Sequence, residues 1–181
     1  RAERSTTHQS DCCPDMATEV STVNPPGYGG STGRASLSYK TEVAEAAWKT
    51  VQQRAAEIRA ELGDPEHVIL GMDRLDYTKG IDFRLKSFAG LLEDAPSDRH
   101  EYGFIQVAVP SREQVPAYQQ LRNDIEQLVG RINGDYGDPG WTPVSYLYRT
   151  LPFEEVIALY VAADIMLVTP LRDGMNLLAN E

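Results

Sequence analysis

Residues 67–80 read HVILGMDRLDYTKG. The apolar run VILGM stops, and Asp73, Arg74, Asp76 and Lys79 follow within seven positions, closed by Gly80. Arginine offers a planar fork of donors and lysine a compact point charge, so the pair suits a phosphate. A helix expected to begin near Ile81 adds free N–H groups and positive potential at the same place. Spacing by itself leaves two readings open: an anion site, or a surface ion-pair cluster in which Arg74 meets Asp73 or Asp76. The segment is neither a Walker loop nor a G-x-G-x-x-G turn. The carboxylates of DRLDYT are three apart, which separates it from the D-x-D-x-T of aspartyl phosphatases.

Three further segments repeat the arrangement, with polar residues directly after an apolar run. PSR carries Arg112, RTLP follows VSYLY, and TPLRDGMN carries Asp173 and Gly174, with Glu181 about two turns beyond. Taken singly, Arg112 also fits a helix-flanking surface arginine, Asp173 an N-cap, and Glu181 an exposed helix residue. His8, His67 and His100 stand beside no nucleophile, which argues against a histidine-based triad. Trp48 and Trp141 are expected to be packing residues.

The elements that must position these segments follow from periodicity. Ala44, Ala47, Val51, Ala55, Ile58 and Leu62 recur at helical spacing, and Gly63 and Pro65 end that helix. HVILGM is a strand apolar on both faces, as in a sheet covered on both sides. DFRLKSFAGLLEDA is a helix with its stripe on Phe83, Leu85, Phe88, Leu91 and Leu92. YGFIQVAVP, VSYLY and DIMLVTP are three more strands, separated by helices over SREQVPAYQQLRNDIEQLVGRIN and PFEEVIALYVAA. Strand–helix alternation with short loops predicts an α/β fold, a parallel doubly wound Rossmann-like sheet with helices on both faces. In such sheets ligands bind at the carboxyl ends of the strands, where all four polar segments fall.

The bulk numbers bound the rest. The chain has 181 residues, 17 Lys plus Arg against 27 Asp plus Glu, and a net charge of −10. An acidic chain is a poor non-specific binder of nucleic acid or membrane, so a bound anion must be met by local cations. No apolar run approaches the roughly 20 residues of a membrane span, and RAERSTTHQSDCC lacks the apolar core of a signal peptide. Cys12 and Cys13 are neighbours, poorly placed for a disulfide and too few for zinc, which fits a reducing, cytoplasmic setting. Residues 1–40, rich in Ser, Thr, Gly, Pro and Asn, are expected to be a disordered or aberrant N-terminal segment, and residues 41–181 the Rossmann-like domain.

DRLDYTKGI, AVPSREQVPAYQQLR, VGRINGDYGDPGWTPVSYLYRTLP and ALYVAADIMLVTPLRDGMNL together closely resemble the donor-side domain of the trehalose-6-phosphate synthases, glycosyltransferase family 20. The resemblance runs in order over about residues 54–181, and it implies that residues 41–181 are a truncated nucleotide-sugar-binding domain. It implies a retaining glycosyltransferase of GT-B architecture that moves glucose from UDP-glucose, or ADP- or GDP-glucose, to glucose 6-phosphate. Matched by position, Arg74 and Lys79 would grip the donor diphosphate and Asp173 the glucosyl hydroxyls. The backbone of Gly174, Met175, Asn176 and Leu177 would meet sugar and phosphate oxygens, and Glu181 the ribose. Val107 and the backbone near Leu151 would flank the base, and Arg112 would reach the acceptor phosphate. Arg74, Lys79 and Asp173 are the catalytic candidates. The two cations would do the work a metal does elsewhere, so no metal and no cofactor beyond the nucleotide-sugar donor is expected. The resemblance further implies homo-oligomers among full-length members.

Departures mark where the likeness thins. GRASLSYKT stands where the family usually has GA[FY]PISID, and residues upstream match nothing recognisable, as a frameshift or misassigned start would produce. Asn180 replaces a usual lysine. The chain is expected to be an incomplete fragment, weakly active or inactive alone. A sibling synthase with another acceptor, such as glycerol 3-phosphate, and a non-catalytic nucleotide-sugar-binding module remain alternatives.

Overall fold

The computed structural model describes residues 33–172, and the side chains of 44–172. The chain divides between Ser38 and Tyr39, and the account below is of the unit from Tyr39 onward. Four parallel strands, β1 (His67–Arg74), β2 (Tyr102–Val109), β3 (Val144–Tyr148) and β4 (Ile165–Met166), form one sheet in the order β3-β2-β1-β4. The helices are α1 (Gly33–Glu61), α2 (Ile81–Asp94), α3 (Pro116–Tyr136) and α4 (Phe153–Ala162). The sheet is parallel and doubly wound, as the alternation of elements predicts.

Alternation along β1 and β2 sorts the core into two layers. Val68, Leu70 and Met72, with Ile105 and Val107, pack with Ala55 and Ile58 of α1 and Ala158, Leu159 and Ala162 of α4. Ile69 and Phe104 face the other way, onto Leu85, Phe88 and Leu92 of α2 and Ile125, Val129 and Ile132 of α3. Each such side chain, fully withdrawn from water, contributes about 1.5–3 kcal/mol. β1 and β2 are therefore buried on both faces, which explains their nearly continuous apolar sequence.

The strand order has one consequence for function. The chain steps outward from β1 to β2 to β3, then crosses back through α4 to lay β4 against the other side of β1. The reversal lies between β1 and β4, and it opens a crevice at their carboxyl ends. β4 gives only Ile165 and Met166 to the ladder, opposite Ile69 and Leu70. Asp164 N and Leu167 N donate to Val68 O and Leu70 O on either side. Asp164 Oδ2 also accepts from Val68 N at 2.7 Å and from Arg59 Nη1 at 2.9 Å.

Several elements differ from the periodicity reading. α1 begins at Gly33, and its residues 44–50 are exposed, Trp48 among them; among its described side chains, those that pack on the sheet lie from Val51 onward. α3 begins at Pro116 rather than at Ser111, because Pro at the first helical position loses no hydrogen bond there. In α2 the buried face is Ile81, Arg84, Leu85, Phe88 and Leu92. Phe83, expected in the stripe, is 53% exposed, and Arg84, at 1%, lies inside. Trp141 does pack, against the α2/α3 layer and stacked on His100 at 4.3 Å.

Candidate functional site

The crevice begins with the turn after β1. Arg74 is the last residue of the strand and exposed, and it makes no ion pair among the described residues. Asp76 then caps a short 3-10 helix, Tyr77–Lys79: its Oδ1 accepts from Thr78 N at 2.9 Å and Thr78 Oγ1 at 2.8 Å. Lys79 ends that turn, half-buried. Gly80 follows with φ 63, and α2 starts at Ile81 with no side chain capping its first N–H groups. Uncapped N–H groups and the helix dipole favour an anion at this point. The ion-pair reading of the sequence fails in both parts, since Asp73 and Asp76 are each engaged elsewhere.

Backbone and side-chain bonds lace this turn to the segment after β4. Leu171 N donates to Thr78 O at 2.8 Å, and Thr169 Oγ1 lies 3.4 Å from both Lys79 O and Gly80 O. A Cβ at residue 80 would stand 2.5 Å from Thr169 O, so the close approach requires glycine. The turn carrying Lys79 is thus fixed relative to the chain entering TPLRDGMN.

Beneath the turn lies a buried polar network that sequence reasoning missed. Arg84 Nη2 donates to Asp73 Oδ2 at 2.7 Å, its Nη1 to Gln106 Oε1 at 3.1 Å, and its Nε to Thr169 Oγ1 at 3.1 Å. One guanidinium therefore joins β1, β2 and the segment after β4. Gln106 is 0% exposed and stands opposite Gly71 in the β1–β2 register. A side chain at Gly71 would collide with Arg84 Nη1 and Gln106 Oε1, so the missing Cβ makes the space for the network. The available signal was polar or small residues, Gly71, Asp73 and Gln106, inside strands otherwise apolar.

Arg112 follows β2 with φ 49, a left-handed conformation unusual for arginine. Its Nη1 donates to Tyr118 Oη at 3.0 Å, and Tyr118 Oη donates to Asp76 Oδ2 at 3.1 Å. Burial alone pushes the Asp76 carboxyl up, yet the Thr78 and Tyr118 hydrogen bonds and the Arg112 charge hold it below the ordinary carboxylate range. Burial and the Asp76 carboxylate push the Tyr118 phenol up. A hollow of about 490 Å3 beside these residues is lined by Ser111, Tyr118, Arg122 and Tyr148. A larger groove, about 640 Å3, runs between α1 and α4 past Val51, Arg54 and Phe153. It touches none of Arg74, Lys79 and Arg112, so size alone does not mark the site.

Among the remaining candidates, Leu151 follows β3 and packs half-buried on the α1/α4 layer. Val107 is core: its side chain is buried in that layer and its register partners are Met72 and Leu147. Asp173, Gly174, Met175, Asn176, Leu177 and Glu181 lie outside the described residues. Among the described residues no group of three or more His, Cys, Asp or Glu is placed to hold a metal ion, and no helix is long and apolar enough to cross a membrane.

Comparison with known proteins bears on this geometry. Residues 38–181 match the profile of glycosyltransferase family 20. The trehalose-6-phosphate synthase of Mycobacterium avium (strain 104) is 60% identical over 133 residues, which are 74% of this chain and 27% of that protein. An α,α-trehalose-phosphate synthase (UDP-forming) from Burkholderia xenovorans, in complex with glucose-6-phosphate, superposes with a TM-score of 0.64 at 35% identity, covering 70% of this chain and 30% of that one. An E. coli structure bound with UDP-2-fluoro glucose gives a TM-score of 0.64 at 39% identity, covering 72% of this chain and 31% of that one. The chain spans about a quarter of the length of the curated relatives it matches.

Proposed function

Because the chain belongs to glycosyltransferase family 20, we propose that it is the donor-gripping part of a UDP-forming trehalose-phosphate synthase, which transfers glucose from UDP-glucose to glucose 6-phosphate. The observation that carries the reading is the lacing of the two loops at the β1/β4 crevice. Leu171 to Thr78, and Thr169 beside Lys79 and Gly80, bring the turn that carries Lys79, five residues past Arg74, together with the segment after β4. Relatives bound with a UDP-sugar analogue and with glucose-6-phosphate support the two substrates.

The chemistry follows from where charge develops. As the bond from the sugar's anomeric carbon to the diphosphate breaks, its electron pair stays on the departing phosphate oxygen. Arg74 and Lys79, with the first N–H groups of α2, meet that growing charge with donors already in position. They stabilise the transition state more than the ground state, which is what raises the rate. The acceptor hydroxyl oxygen bonds to the same carbon, its proton passes to the departing phosphate oxygen, and Arg112 meets the acceptor's phosphate. Asp173 orients the sugar hydroxyls, and Glu181 takes the ribose. No enzymic nucleophile is assigned.

Calorimetric titration of the chain with UDP-glucose tests the clamp. A charge-assisted hydrogen bond is worth about 1.5–3 kcal/mol, so Arg74→Ala and Lys79→Ala should each weaken binding about 10- to 150-fold. Binding that neither substitution changes would refute the diphosphate assignment. Absence of binding by a folded parent would refute the donor site altogether.

A further inference from the structure

We propose that Tyr118 is a positioning residue whose hydroxyl couples Arg112 to the turn carrying Lys79, so that the cations after β2 and after β1 are set as one unit. The inference rests on the reading of Lys79 as a diphosphate contact and adds a residue to it.

The path is short and every link has a distance. Arg112 Nη1 donates to Tyr118 Oη at 3.0 Å, and Tyr118 Oη donates onward to Asp76 Oδ2 at 3.1 Å. The other oxygen of Asp76 accepts from Thr78 N and Thr78 Oγ1, and Asp76 O accepts from Lys79 N at 3.1 Å. Tyr118 is 5% exposed, so its hydroxyl has little water to fall back on. Its ring is wedged edge-on to Tyr77 at 6.0 Å, with the Arg112 guanidinium 5.5 Å from its centroid. Arg112 keeps a left-handed backbone, a conformation that persists only where the surroundings over-determine it. Two contacts do so here: Val115 N donating to Arg112 O at 2.9 Å, and the bond to Tyr118. A carboxylate that caps a turn with one oxygen and takes a phenol with the other fixes both at once. Burial opposes the Asp76 charge, and its hydrogen bonds together with Arg112 overcome that opposition.

The test is a thermodynamic cycle on the full 181-residue chain with UDP as the titrant. Tyr118→Phe removes one oxygen and keeps the ring against Tyr77. It should weaken UDP binding about three- to tenfold, with the far-UV spectrum unchanged. In a Lys79→Ala background the same substitution should have no further effect, because its route to the ligand is gone. An equal loss in both backgrounds would show a general structural role and overturn the coupling. Parent-like UDP binding by Tyr118→Phe, with Lys79→Ala still weakened, would overturn the coupling and leave the diphosphate reading standing. A parent that does not bind UDP, or binds it independently of Lys79, would overturn both together. Should Tyr118→Phe fail to fold, Asp76→Asn, which keeps an oxygen for the Thr78 cap, enters the same cycle with the same outcomes.

Discussion

Arg84→Met removes the guanidinium that ties β1 and β2 to the segment after β4, and leaves most of the side chain's volume. The Arg84 side chain is fully buried and pairs with Asp73 at 2.7 Å, itself almost fully buried. Coulomb attraction between two such charges is large in a low dielectric, but so is the cost of desolvating both, so the intact pair is near break-even. Breaking it is not, since the carboxylate that remains has neither partner nor water. Loss of one member of a buried pair costs about 3–5 kcal/mol, and Gln106 Oε1 loses its donor as well. At about 2–4 °C per kcal/mol for a domain of this size, the melting midpoint should fall by about 6–20 °C. The assay is urea unfolding of the chain followed by far-UV circular dichroism, with thermal melting beside it. Adding Asp73→Leu should recover a large part of the loss, because apolar replacement of both partners is often neutral. A loss below about 1 kcal/mol for Arg84→Met, or a double variant weaker than the single, would refute the account of the network.

Two further outcomes test the packing and the ion pairs. Phe88→Ala should cost about 3–5 kcal/mol by opening a cavity between α2 and β2, whereas Phe83→Ser should stay below about 1 kcal/mol, its ring being 53% exposed with Lys86 Nζ 5.4 Å from its centroid. Equal losses would show that α2 faces the sheet differently. The Val68 N–H bond and Arg59 hold the Asp164 carboxyl below its ordinary range, and Arg54 does the same for Glu155. Groups lowered in the folded state give stability that is complete above their unfolded values, near pH 4, and is lost as pH falls through them. The melting midpoint should therefore drop as pH falls below about 5, and Asp164→Asn should flatten that slope. An unchanged slope in the variant would sink the assignment.

The sheet was legible because β1 and β2 are apolar on both faces, a pattern only a covered parallel sheet accounts for. The strand ends were legible for the same reason, since Arg74, Lys79 and Arg112 interrupt that apolarity where the chain must emerge. The face of α2 was not. Amphipathic reading assigns a charge outward and an aromatic inward, which puts Phe83 in and Arg84 out. The reverse holds because Asp73, Gln106 and the space above Gly71 lie on two neighbouring strands, and no window along α2 contains them. Tyr118 was hidden likewise, its partners Asp76 and Arg112 belonging to two different loops. The start of α1 also escaped, since its apolar period begins only at Ala44.

β4 shows how little ladder a strand needs when its ends are keyed. Two rungs, Ile165 and Met166, are too few to choose their own alignment, and a slip of one residue would turn every side chain over. The choice is made outside the ladder, by Asp164 on the first amide of β1's buried run and by Thr169 on Arg84. Of the four residues between the keys, the two in the ladder, Ile165 and Met166, can exchange for apolar types of similar volume. The keys themselves can change only together with their locks.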